Sequence, residues 1–144
     1  MPVRSITLSA LVAGLCVSQT LAQTATEAPT ELSVELNALQ DTQGACRLSF
    51  VARNTTGTSI DKAVFETVIF DASGSVVSLS LFDFRDLPAD RPRVRQFDLP
   101  NRSCDSVGQV LINGANTCTV AGEHSDLCQQ TLSLSSRISV ELLG

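Results

Sequence analysis

Apolar residues in this chain recur at every second position, segment after segment. That period is the signature of strands with one buried face, because successive strand side chains point to opposite sides. In Glu31–Leu39, Leu32, Val34 and Leu36 alternate with Ser33, Glu35 and Asn37. In Cys46–Arg53, Cys46, Leu48, Phe50 and Ala52 share a face against Arg47, Ser49, Val51 and Arg53. Near the C-terminus, Leu132, Leu134, Ile138, Val140 and Leu142 alternate with Ser133, Ser135, Arg137, Ser139 and Glu141. Four further runs, over 63–70, 76–84, 93–99 and 107–112, lie between them. Turn-forming residues punctuate the series at 54–58, 71–74, 87–90, 100–101 and 113–114. No amphipathic helix longer than about two turns is written into the sequence. About seven short strands at this spacing predict an all-β, immunoglobulin-like antiparallel β-sandwich. Asn113-Gly114 leaves one choice open, since this pair is a strong hairpin signal and residues 115–120 could form an extra short strand.

The first 22 residues read differently. Arg4 precedes an apolar run of 12 residues, Ile6–Val17, and Thr20-Leu21-Ala22 supplies the small residues of a signal-peptidase site, predicting cleavage after Ala22. The run is too short for a membrane span, which needs about 20 residues. A lone Arg argues for general secretion over twin-arginine export, and Leu15 before Cys16 argues against lipidation. Residues 23–30 (QTATEAPT) form a polar, flexible leader, and 31–144 a single domain. The Arg-rich basic set, with Lys62 the only lysine, points to a GC-rich bacterial genome and so to the periplasm; secretion beyond it is the other destination. Asn54 and Asn101 open glycosylation patterns that matter only in a eukaryotic host.

Loss of the signal removes one of the 10 basic residues and none of the 15 acidic ones, leaving a mature charge of −6. Such a balance excludes a basic footprint for nucleic acid or anionic membrane. Four cysteines remain, Cys46, Cys104, Cys118 and Cys128, and an even count in an exported chain predicts disulfides. In a sandwich, the second and sixth strands begin at the same end in facing sheets. Cys46 and Cys104 are each in phase with inward residues there, so the pairing is Cys46 with Cys104 and Cys118 with Cys128. The long closure contributes ~4 kcal/mol and the short one ~3 kcal/mol in the chain-entropy picture.

Residues 48–77 (LSFVARNTTGTSIDKAVFETVIFDASGSVV) combine a strand ending in Asn, a polar loop, Ile, a long strand ending in Phe-Asp, then Gly and a Val pair. This pattern is similar to the FxLYD-like group of small exported immunoglobulin-like domains. The segments RVRQFDLPNRSC, VLIN and the 118–128 loop before SSRISV resemble a family of small exported alphaproteobacterial β-sandwich proteins. Its members are often labelled only by their signal sequence, some as twin-arginine exported, a pattern that Arg4 alone does not match. The resemblance spans nearly all of the mature chain and implies fold and compartment, but no activity.

Three groups of residues are candidates for function. His124, the only histidine, lies between Cys118 and Cys128 beside Glu123 and Asp126. These could supply zinc ligands, but structural zinc sites favour closely spaced thiols, and an oxidising compartment favours a disulfide staple. A hydrolytic set of His124, Asp126 and a serine lacks a Gly-x-Ser-x-Gly elbow, and thiol redox chemistry lacks a Cys-x-x-Cys pair. The second group is the charged stretch 83–105, where Arg85, Arg91, Arg93 and Arg95 could form a partner-docking edge or a solvated edge that deters aggregation. Asp83 and Asp86 within it form no enclosed acid–base pair. Third, Phe82 and Phe84 share a face opposite Leu79 and Leu81, predicting one face in the core and the other beneath a neighbouring loop, with an exposed hydrophobic binding strip as the lesser reading. The sequence therefore reads as an exported, non-catalytic binding or accessory module, whose partner is another exported protein. It needs no cofactor, membrane span or nucleic acid, and its oligomeric state is left open. The alternative is a small metal-binding protein or enzyme using Cys118, His124 and Cys128.

Overall fold

A computed structural model describes residues 26–144; the segment read as a signal peptide, its expected cleavage site and the first residues of the expected leader lie outside them. Residues 26–30 are irregular and exposed, and the Pro29 carbonyl accepts a hydrogen bond from the Thr55 hydroxyl at 2.6 Å. The seven predicted runs all become strands. In chain order these are β1 (Leu32–Thr42), β2 (Ala45–Asn54), β3 (Ile60–Phe70), β4 (Val76–Leu87), β5 (Arg93–Pro100) and β6 (Gln109–Val120). The two-residue β7 (Glu123–His124), one helical turn α1 (Leu127–Gln130), β8 (Leu132–Ser136) and β9 (Glu141–Leu143) follow.

The strands form two packed sheets. One has the order β5-β2-β1-β8; the other runs β4-β3-β6-β7, with β9 also paired to β6. Neighbours are antiparallel except β1 with β8 and β6 with β9. Together they make an immunoglobulin-like sandwich. The expected final strand is divided between the two sheets. Arg137 N–H donates to the Leu36 carbonyl as the last contact with β1, and the Ser136 hydroxyl then bonds the carbonyls of Ile138 and Val140. Those local bonds bend the chain out of one sheet and into the other, so apolar alternation persists across the break while the ladder does not.

Asn113-Gly114 forms no hairpin. β6 runs straight through it because β3 continues alongside, pairing Gly114 with Glu66 and Cys118 with Ala63, with register breaks on either side of Phe65–Glu66. A turn at Gly114 would forfeit that ladder. The reversal comes at Ala121-Gly122, where φ values of 50° and 79° give the two left-handed residues of a tight hairpin turn.

The core holds Leu32, Val34, Leu36, Leu48, Phe50 and Ala52 from one sheet against Phe65, Ile69, Phe82, Phe84, Val110 and Ile112 from the other. Phe50 makes edge-to-face contacts with Phe82, Phe84 and Phe97, and Phe82 stacks on Phe97 with centroids 4.1 Å apart. This aromatic cluster supplies large buried area with little side-chain entropy lost, in a chain with no Trp or Tyr. Cys46–Cys104 ties β2 to the 3-10 turn Cys104–Ser106 that leads into β6, with Cα atoms 4.9 Å apart, and Cys118–Cys128 closes the loop after β6. Both pairings are those the strand phases predict.

Candidate functional site

The loop that opens after β6 is a staple. Cys118 and Cys128 are bonded to each other, and the Cys118 sulfur also accepts the Cys128 N–H at 3.3 Å. With both sulfurs in the disulfide, neither is a thiolate beside His124 in this structure. His124 sits on β7 with its side chain 80% exposed, 3.4 Å from the Asp126 carboxylate. Among the described residues, no cluster of three or more His, Cys, Asp or Glu is placed to hold a metal ion.

The arginine edge is partly consumed by the fold. β4 and β5 are edge strands of opposite sheets and face each other along one side of the sandwich. Arg93 and Arg95 share a face of β5, as their spacing predicts, and both reach across to Asp86 on β4, at 3.2 and 3.1 Å. Arg95 also donates through Nε to the Phe84 carbonyl and through Nη2 to the Asp86 carbonyl at 2.9 Å. The Arg93 guanidinium, with Arg95 beside it, holds the Asp86 carboxyl below the usual carboxylate range. These two arginines clamp the two sheets together. Arg85 and Arg91 remain exposed; Arg85 adopts φ 59° at a register break in β4, where its N–H donates to Asp83. The four arginines are thus a clamp plus two separate exposed cations, not one row. Between β2 and β5, Asp98 is likewise held below the carboxylate range by Arg47, bonded at 2.7 and 2.9 Å.

A different surface stands out. Phe82 and Phe84 enter the core as predicted, but Leu79 and Leu81 are not covered: they are 58% and 54% exposed. Strand register explains what surrounds them. Leu79 lies opposite Val68, Val68 opposite Leu111, and Leu111 opposite Leu143, so one apolar row crosses four strands on the outer face of the sheet. The next row places Val76 beside Phe70, and Phe70 is the one phenylalanine outside the core cluster. Among the described residues, four of the five exposed large hydrophobics, Val76, Leu79, Leu81 and Leu143, lie on this face; the fifth is Val94 on β5. An antiparallel sheet normally turns polar side chains to water on its outer side. The flanks of this face are acidic. Glu66 accepts from Asn113, Glu141 accepts from Gln109 at 2.9 Å, and Asp83 lies 3.8 Å from Lys62.

One polar residue missed as a structural centre is Asn54. It is 2% exposed, donates to the carbonyls of Thr58 and Leu87 at 2.8 Å each, and accepts from the Thr56 N–H and hydroxyl. It ties the end of β4 to the loop after β2. Its amide hydrogens are both used inside the fold.

The fold and surface define a class: a disulfide-stapled immunoglobulin-like sandwich with an apolar outer sheet face. No helix among the described residues is long and apolar enough to cross a membrane, and two disulfides suit an oxidising compartment. Comparison of the chain with protein-family models, curated proteins and solved structures finds no match.

Proposed function

We propose that this protein is an exported, periplasmic binding module that docks another exported protein on the outer face of its β4-β3-β6-β9 sheet, and that it acts by binding rather than catalysis. The observation that carries the reading is the in-register apolar row Leu79–Val68–Leu111–Leu143, whose ends Leu79 and Leu143 stand exposed beside Leu81 and Val76, while Val68 is buried within the row, on a face where alternation would place polar side chains. The acidic flanks Glu66, Asp83 and Glu141 select the partner's chemistry: an apolar surface bordered by Lys or Arg. The disulfides support export, and the N-terminal segment supplies the route through cleavage near Ala22. Arg85 adds an exposed hydrogen-bonding group on β4 at the margin of this face, while Arg93 and Arg95 keep the sheets in place.

The test is a photo-crosslinking residue at Leu111, in the centre of the face, compared with one at Glu35 on the outer face of the other sheet, each expressed in an exporting host. A partner adduct at 111 but not at 35, mapped to an apolar segment with flanking basic residues, supports the reading. Equal or absent adducts at both positions refute it.

A further inference from the structure

The free edge of β4 carries a second feature, independent of the sheet face. The Phe70 carbonyl bonds the Gly108 N–H at 2.8 Å, so the Phe70 main chain points away from β4. Strand alternation then directs Thr67 and Ile69 towards β4, where they lie opposite Ser80 and Ser78. The main-chain N–H and C=O groups of Leu79 and Leu81 consequently point to the open side. Both ends of this opening are closed by arginines: Arg102 donates to the Val77 carbonyl at 3.2 Å, and Arg95 takes the Phe84 carbonyl. Edge strands are ordinarily protected by charge, proline or a bulge. Here those devices sit on either side, and Ser78–Phe82 has none of them.

There is room for another strand. Two adjoining grooves of about 570 and 520 Å³ run along this edge, walled by Leu81 on one side and by Gln96 and Phe97 on the other.

We infer that β4 pairs antiparallel with β4 of a second copy of this chain, about a twofold axis at Ser80. In this register Leu79 lies opposite Leu81 of the second copy, and Leu81 opposite its Leu79. Both members of each pair have outward-facing main chains, so four hydrogen bonds form between the chains. The exposed leucines then become cross-strand neighbours on the outer face. Charge supports a self-complementary fit. Asp83 falls opposite Val77 of the second copy, where that copy's Arg102 is anchored. Each end of the window thus sets an aspartate of one copy beside an arginine of the other. Pairing joins the two outer faces into one continuous surface, so the dimer presents the proposed docking face twice.

Ser80 lies opposite itself in a non-hydrogen-bonded pair, where Cα atoms are about 4.5 Å apart, a separation that a disulfide spans. Oxidation of Ser80→Cys therefore gives a covalent dimer through residue 80, whereas Glu35→Cys does not. Leu81→Pro deletes only an outward N–H, which an edge strand tolerates. By symmetry it removes two of the four hydrogen bonds and weakens association by about 30-fold. In light scattering, the wild-type exported protein is expected at twice the monomer mass and Leu81→Pro at the monomer mass, with unchanged circular dichroism. Leu79→Lys/Leu81→Lys, which blocks the edge by charge, repeats the test should the proline variant fail to fold. A wild-type protein that stays monomeric well above micromolar concentration, or oxidised Ser80→Cys without an 80–80 link, overturns the inference.

Discussion

Replacing Asn54 with alanine tests whether a single buried amide holds the end of β4 in place. The side chain makes four hydrogen bonds, and their environments differ. The Leu87 carbonyl is buried, so losing its donor costs the full penalty of an unsatisfied group, about 2 kcal/mol. Thr56 and Thr58 lie at the rim of the loop, where water can replace the lost partner, and together they add about 1 kcal/mol. The expected loss is therefore about 3 kcal/mol, or about 10 °C in Tm for a domain of this size. Asn54→Asp is the sharper variant. Its carboxylate still accepts from Thr56 but sets a negative oxygen against the carbonyls of Thr58 and Leu87, so at neutral pH it is less stable than the alanine variant. Urea unfolding followed by circular dichroism gives both values, and amide exchange at Asp90, whose N–H bonds the Asn54 carbonyl, localises the damage. A loss below about 1 kcal/mol for the alanine variant, or an aspartate variant as stable as wild type, would refute the role assigned to Asn54.

Other outcomes follow from the staples and the charges. Cys118→Ser/Cys128→Ser opens the short loop and lowers stability by about 3 kcal/mol in denaturant unfolding. His124→Ala, at an 80% exposed side chain, leaves the same curve unchanged. Asp71, held by the Ser73 hydroxyl and the Ser75 N–H, has its carboxyl below the ordinary value of 3.8, as do Asp86 beside Arg93 and Asp98 beside Arg47. A depressed folded-state value means that their contribution is present above pH 3.8 and lost as pH falls below it. Acid titration of Tm should therefore show a decline beginning near pH 4, shallow because all three carboxylates meet solvent, and reduced further in Asp86→Asn.

The sheets and staples were legible because alternation is local. Leu48 and Phe50 announce an inward face within a few residues, and the phases of Cys46 and Cys104 follow from the same count. The division of the last strand was not legible, since Leu134 and Ile138 keep one period through a bend set by hydrogen bonds of Ser136. The hairpin at Ala121-Gly122 was hidden by a stronger signal at Asn113-Gly114, and only the length of β3 decides between them. The apolar face was hidden for a different reason. Leu79 and Leu81 alternate with Phe82 and Phe84 on a strand that is apolar on both sides, so sequence alone cannot say which side lies bare. The row that gives Leu79 its meaning is assembled from four strands between residues 68 and 143, and no local window contains it. Likewise the spacing of Arg93 and Arg95 predicts a shared face, but not that Asp86 sits opposite to occupy both.

The proposed partner binding rests on the outer face of the β4-β3-β6-β9 sheet. Crosslinking from Leu111 in the exporting host tests it most directly, because Leu111 lies at the centre of the apolar row and two strands away from the β4 edge. A partner adduct is expected at position 111 and disappears when Leu79 and Leu143 are both changed to serine, with the fold intact by circular dichroism. An adduct that survives those changes, or one no stronger than at Glu35, would contradict it.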